Sequence, residues 1–336
     1  MITRRSFGAI ALIAGLLSAA PIAAATAQTA VKYRLRYGTA FPADHPGVLR
    51  IMEAAEAIKT ETGGKVDIQV FPNSQLGSEP EMFNQTRTGA LDFMSTSGVN
   101  QTIVPVGGIN AVTFAFNDYS QVWAAMDGEL GAYVRAAFEK AGLHAFEKML
   151  DNGYRNITTS AKPINGPDDL KGLKIRVPGN PIWVSTFKAL GAAPTPINFG
   201  ELYASLQTHV VDGQENPLAL IQSAKLYEVQ KYVSMTGHIW DGHYIFSGVR
   251  KWASLPPDVQ ESISKNFAAA ALKEREDIAK LDAEAMETMK AKGIIFNQPD
   301  KQPFRDVLKA AGFYNDWKAK YGDQAWAVLE KYTGPL

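Results

Sequence analysis

Hydrophobic and polar positions along this chain switch repeatedly between a period of two and a period near 3.6. "KYRLRYGTA" (32–40) alternates, with Arg34 and Arg36 on one face, and predicts a strand with one wet side. "HPGVLRIMEAAEAIKTETGG" (45–64) follows as an amphipathic helix closed by Gly63-Gly64. "KVDIQVFPNSQ" alternates again and stops at Pro72-Asn73. A helix is then predicted from about Glu79 to Thr88, with Gly89 ending it before a short apolar strand. Strand, helix, strand, helix, strand is the order of a doubly wound α/β layer with a largely parallel sheet.

The pattern recurs further along. "ITTSAKPINGPDDLKG" reads as a strand, a loop and a helical turn begun by Gly166-Pro167-Asp168. "LKIRV" is a strand and "NPIWVSTFKALG" a helix ending at Gly191. "APTPI" reads as a strand or extended chain, "NFGELYASLQTHV" as helical, and "VDGQENP" as crossing from strand to loop. Two α/β units therefore follow one another, with the division placed near Asp151-Asn152-Gly153. The remainder reads as helical: one very long segment from Pro256-Pro257-Asp258 to about Lys292, a short apolar strand "IIFNQP", and a last helical region from near Pro303. A helix of that length suits packing across both units.

A length of 336 residues agrees with about two domains, and 46% hydrophobic residues suffice for a sizeable core. The first 27 residues are set apart from the fold. Arg4 and Arg5 precede an apolar stretch of increasingly small residues, and Ala25-Thr26-Ala27 supplies a cleavage site, so an export signal is expected. "TRRSF" resembles a twin-arginine signal; a Sec signal with the same basic residues is the alternative. Removing those two arginines leaves 32 basic residues against 34 acidic, a net −2, which makes no electrostatic case for nucleic acid. With no cysteine, disulfides, thiol nucleophiles and thiolate metal sites are excluded.

Catalytic signatures are missing as well. No G-x-S-x-G elbow, H-E-x-x-H pair, Walker loop or G-x-G-x-x-G fingerprint is present, so neither a hydrolase elbow nor a bound nucleotide is expected. His238 and His243 flank Asp241 in "HIWDGH", but neither helix nor strand spacing puts both on one face, and no metal is expected. An exported enzyme using Glu79 or Asp241 as base would lack a visible nucleophile–base pair. What stands out is polar groups in apolar company: Arg176 inside "LKIRV", Arg155 in "NGYRNITTS", and Asp212, Gln214, Glu215 and Asn216 in "HVVDGQENPLALI". Trp183, Phe199, Trp240 and Tyr244 fall in or beside predicted loops. Taken singly, a strand arginine is usually solvated or paired, and Asp-Gly is a turn. Taken together, Arg155, Arg176 and Asn216 sit near strand carboxyl ends, where open α/β sheets bind ligands.

The stretches "FPNSQLGSE", "TGALDF", "LKGLKIRVPGNP", "APTPINFGELYASLQTHVVDGQENPLA" and "YEVQKYVSMTGHIWD" resemble, in colinear order, the extracytoplasmic solute-binding subunits of tripartite ATP-independent periplasmic (TRAP) transporters. The likeness is to the dicarboxylate- and sialate-binding type. It implies an α/β, two-lobed periplasmic binding protein fold, each lobe a doubly wound sheet, with hinge crossings and one long helix spanning both. On that pattern lobe I would hold residues 28–152 plus about 241–280, and lobe II residues 153–240 plus about 281–336. The resemblance also implies a monomer that is no enzyme, has no cofactor, and hands a small organic anion to sodium-driven membrane subunits. A receptor that presents ligand to a sensor kinase is a further alternative.

Site residues carry over from the same motifs. The arginine of the family's "GLK-x-RVP" strand, which bridges the ligand carboxylate through both guanidinium arms, falls on Arg176. A second arginine that supports this carboxylate or another acidic group falls on Arg155. The asparagine of "VDGQENP" falls on Asn216, the aromatic after "PTP" on Phe199, and an acid after "SQLG" on Glu79. Sialate binders resemble this pattern but carry an acidic residue where Ser97 stands and an asparagine where Ala40 stands. The metal-bridging Glu-Trp pair of the keto-acid branch has no match in "DGQENP". Ser97, Trp240 and Asp241 are expected to border the ligand, the last two at its non-carboxylate end. Hexuronates and other sugar acids, C4-dicarboxylates and other carboxylates remain open as ligands.

Overall fold

In the computed structural model, which describes residues 31–336, β1 (Tyr33–Gly38) exposes Arg34 and Arg36 and buries Leu35 and Tyr37. The export signal expected over residues 1–27 lies outside the described residues. No helix among them is long and apolar enough to cross a membrane. Helix α1 (Pro46–Glu61) has proline in its first turn, and its N-cap His45 accepts a hydrogen bond at Nδ1 from Gly47 N (3.1 Å). After β2 (Val66–Phe71), α2 (Glu79–Thr88) begins with a capping box between Ser78 and Glu81 and ends at a left-handed Gly89. Both helix bounds match the sequence reading. The chain then runs through β3 (Phe93–Thr96), two 3₁₀ turns, α3 (Tyr119–Met126), α4 (Glu129–Lys140) and β4 (Leu143–Ala145).

The second unit comprises β5 (Leu150–Thr159), β6 (Lys174–Val177), α5 (Pro181–Ala189), β7 (Ala193–Pro196), α6 (Leu202–Gln207), β8 (Gly213–Asn216) and α7 (Leu218–Ser223). It is followed by β9 (Tyr232–Gly248), α8 (Val249–Ala253), α9 (Pro257–Ala291), β10 (Ile295–Asn297), α10 (Gln302–Ala310), α11 (Phe313–Tyr321) and α12 (Asp323–Thr333).

The strands run β2-β1-β3-β9-β5-β8-β6-β7, with β4 and β10 also on β9. A parallel set lies at each end, β2-β1-β3 in one lobe and β8-β6-β7 in the other. Between them β5 and β9 run antiparallel and join the lobes. β9 pairs with β5 from Tyr232 to His243, with β10 through its first three residues, and with β3 and β4 through its last. At 17 residues it reaches roughly 55 Å. No period-two pattern marks it in the sequence, because it is buried on both faces nearly throughout. Trp240 and Tyr244, expected near loops, therefore lie inside this strand, and Trp183 lies inside α5.

The division expected at Asp151-Asn152-Gly153 falls within β5, where the register with β9 slips between Asp151 and Gly153. Helix α9 buries a stripe from Val259, Ile263 and Phe267 through Ile278 to Ala285 and Met289. Its first half packs in the core beneath β1 and β2, its last turns in the core of the second lobe. The C-terminal segment touches both lobes: α10 lies on α5, whereas α12 lies on α3 and α4.

Candidate functional site

Five strand ends and two crossing strands meet around one cavity between the lobes. Lobe I supplies Ala40 and Phe41 after β1, Glu79 and Pro80 at the start of α2, and Ser97 to Val99 after β3. The crossing strands supply Asn152, Arg155, Asp241 and His243. Lobe II supplies Arg176, Pro178 and Gly179 at the end of β6, Ile197 to Phe199 after β7, and Asn216 at the end of β8. The lobes meet on either side of it. Phe41 and Val48 share an apolar cluster with Leu220 of α7, and a Cβ added at Gly98 would stand 3.8 Å from the Cβ atoms of Pro178 and Asn180.

Arg176 occupies the position at which a strand residue is least easily hidden, one before the β6 terminus. Its neighbours Ile175 and Val177 are fully buried, and Arg176 itself is only 2% exposed. Nε donates to Ile197 O (2.8 Å), which fixes the plane of the guanidinium. Among the described residues neither Nη has a hydrogen-bond partner. Phe199 lies over the group, ring centroid 6.0 Å from Cζ. Burial, and next Arg155, push its pKa down to about 10, so this cation is held without a protein counter-ion of its own.

Arg155 has the opposite circumstances. Nε and Nη2 donate to the two oxygens of Glu215 (2.5 and 2.9 Å), and Nη2 also reaches Glu215 O and Asn216 Oδ1. Nη1 donates to Asp241 Oδ2 (2.6 Å), which accepts from Asn152 Nδ2 (2.8 Å) as well. Burial would lower the pKa of this arginine, but the two carboxylates outweigh it and raise it. The same partners hold Glu215 and Asp241 below the usual carboxylate range against burial. His238 Nε2 completes the group on Glu215 (3.2 Å), and Trp183 covers the Arg155 guanidinium from α5, 5.6 Å away. Asn216 is similarly occupied, since its Nδ2 donates to Gln214 Oε1 (2.5 Å).

At the other side of the cavity Glu79 Oε1 accepts from Thr96 Oγ1 (2.9 Å). Burial raises its pKa, only partly countered by Thr96 and by Arg176. Asp241 Oδ1 is buried with no hydrogen bond of normal geometry, though Ser97 stands close enough to help keep the carboxylate ionised. His243 stacks on Phe41 (4.3 Å), whose other face carries His45 (4.0 Å). Burial pushes His243 down to about 4, so its ring is neutral at physiological pH.

Arg155, Arg176, Asn216, Phe199, Glu79, Ser97 and Asp241 thus all line the cavity, whereas Trp240 does not. Its ring packs edge-on against Trp123 and Phe116, and Nε1 donates to Asp151 Oδ1 (3.0 Å). Period-two alternation requires this: with Asp241 facing the cavity, Trp240 must face away. The same rule exposes what sequence reasoning missed, since His243 lies two residues beyond Asp241. Asn152 and Phe41 were missed too, and Asn152 carries no signal beyond its nearness to Arg155.

Residues 37–314 match the family described as bacterial extracellular solute-binding protein, family 7. A solute-binding protein of Roseobacter denitrificans is 36% identical over 268 residues, 80% of this chain and 82% of that one. The crystal structure of a TRAP periplasmic solute-binding protein from that organism, with bound L-galactonate, superposes with a TM-score of 0.83. It is 32% identical and covers 90% of this chain and 99% of its own. A TRAP periplasmic solute-binding protein from a Sulfitobacter species, with bound β-D-galacturonate, gives a TM-score of 0.85 at 29% identity, over 90% of this chain and all of that one.

Proposed function

The chain belongs to family 7 of the bacterial extracellular solute-binding proteins, transport proteins rather than enzymes, and from that premise we propose that it captures a sugar acid or similar small carboxylate between its lobes. The observation that carries this reading is Arg176: a buried guanidinium at the cavity between the lobes, neither of whose Nη groups has a hydrogen-bond partner among the described residues. A carboxylate matches that fork through two parallel hydrogen bonds. In a water-poor cleft, each such bond contributes about 1.5–3 kcal/mol net. Phe199 covers the pair, and Asn152, Ser97, Asp241 and His243 offer donors and acceptors to hydroxyl groups. The two superposed structures, bound to galactonate and galacturonate, support the sugar-acid class.

In the proposed cycle the lobes open about β5 and β9, and the ligand draws them together by bridging Arg176 of one lobe to polar groups of the other. The closed form is then recognised in the periplasm by membrane subunits of a TRAP transporter, which move the acid inward on a sodium gradient. A thermal-shift screen of the purified protein against sugar acids, hexuronates, C4-dicarboxylates and hydroxy acids tests the reading. A true ligand at 100 times its Kd should stabilise the protein by about 2.7 kcal/mol. Stabilisation by neutral sugars instead of acids would overturn it, as would turnover of any acid.

A further inference from the structure

The cavity holds charges of both signs, and counting which of them are already matched leads to a narrower ligand class. Among the described residues lining it, the permanent cations are Arg155 and Arg176. Arg155 is spent within the protein: its guanidinium is ion-paired to Glu215 and Asp241. Arg176 alone has unclaimed donors. Opposite it stand the Glu79 carboxylate and the unpartnered Oδ1 of Asp241, and His243 supplies no compensating charge. The positive end of α2, which could otherwise receive an anion, is filled by the protein's own acids. Glu79 lies in its first turn, and Glu81 Oε2 accepts from Ser78 N (2.7 Å).

We propose that Glu79 and Asp241 are specificity-determining residues that restrict the ligand to polyhydroxy acids with a single carboxylate, rejecting the matching dicarboxylates. The inference rests on the sugar-acid reading and deepens it. One carboxylate satisfies Arg176. The far end of the ligand then meets two acidic side chains, which accept hydrogen bonds from hydroxyls and repel a second carboxylate. Neither acid can yield its place cheaply, because Asp241 is locked by Arg155 and Asn152, and Glu79 by Thr96. Burial raises the pKa of Glu79 from its ordinary value, and the Thr96 hydrogen bond and Arg176 counter part of that rise in favour of the carboxylate.

The test uses pairs with the same carbon chain: galactonate with galactarate, gluconate with glucarate, and erythronate with meso-tartrate, each titrated calorimetrically into the purified protein at pH 7.5. For the pair whose monoacid binds, the diacid should bind at least ~100-fold more weakly, the scale expected when a carboxylate is buried without a partner. Equal or tighter binding of the diacid would overturn the inference and leave the carboxylate-capture reading standing. If no acid of either kind binds, the sugar-acid reading itself falls, and this inference with it. A second arm uses Glu79→Gln, which keeps the size and the hydrogen bond while removing the charge. The diacid penalty should shrink at least ~10-fold in this variant, against a monoacid affinity that changes less. An unchanged penalty in a variant that melts like the parent would remove Glu79 from the proposed role.

Discussion

The Arg155 guanidinium donates to both carboxylate oxygens of Glu215, from Nε at 2.5 Å and from Nη2 at 2.9 Å, and so ties β5 to β8 beneath the cavity. Its third arm ties β5 to Asp241 on β9. The sequence motifs give Arg176 the carboxylate bridge and Arg155 a supporting part beside it. Arg155 holds the frame, and Arg176 faces what the frame encloses.

The division predicts opposite effects on stability. Arg155→Ala leaves Glu215 and Asp241 buried without their cation and should cost about 3–5 kcal/mol. Arg176→Met removes a cation that burial already disfavours, and should leave the ligand-free melting temperature equal or higher. Both are read by thermal denaturation without ligand. A large loss of stability from Arg176→Met with none from Arg155→Ala would reverse the assignment.

Binding should show the reverse order for conservative changes at Arg176. Arg176→Lys keeps the charge but replaces a planar fork by one point, and forfeits one of two charge-assisted bonds at about 1.5–3 kcal/mol. Calorimetric titration with the acid that binds best should show a Kd roughly 10- to 150-fold weaker, and no measurable binding for Arg176→Met. A lysine variant that binds like the parent would show that the fork geometry is not used.

Much of this fold was legible before its coordinates. α2, β6, β7 and the bounds of α9 follow from capping residues, alternation and prolines, which are local signals. β9 was not, because a strand buried on both faces loses the alternation that marks it. The candidate site was legible as a set of residue types through family motifs, and seven of the residues so named line the cavity. The pairing of Arg155 with Glu215 lay out of reach, since the two are 60 residues apart and only the antiparallel register of β5 with β8 joins them. Trp240 was misplaced for the same reason that β9 was missed.

Gly153 should be sensitive out of proportion to its size. Its φ of 102° is open to glycine and costly for other residues, and an added Cβ would approach Pro217 Cβ to 3.1 Å. It stands where β5 slips register between the lobes, flanked by Asn152 and two residues before Arg155. Gly153→Ala should lower stability by about 1–2 kcal/mol and weaken ligand binding by re-aiming both neighbours. A variant with parental melting temperature and parental Kd would show that this backbone conformation has no bearing on the site.

A buried acidic group behind the cleft sets a pH dependence of known sign. Asp151 is 2% exposed, accepts from Trp240 Nε1, and faces Asp282, Tyr119, Tyr154 and Glu274, which accepts from Asp151 N (2.8 Å). Burial, reinforced by Asp282, pushes Asp151 up to about 7, and burial does the same to Asp282. For an acid whose folded pKa is raised, the stabilising contribution is fully present below its unfolded value near 4. It is lost as pH rises through about 7. His45 and His243, pushed down by burial, act oppositely as pH falls below about 6.5, so the whole protein's profile mixes both. Comparing Asp151→Asn with the parent cancels the histidines. The difference in melting temperature should move in favour of the variant by at least about 3 °C between pH 4 and pH 8.5, most of it between about pH 4 and pH 7. A difference that stays flat across that range would show that Asp151 is ionised throughout and that a partner cation compensates it.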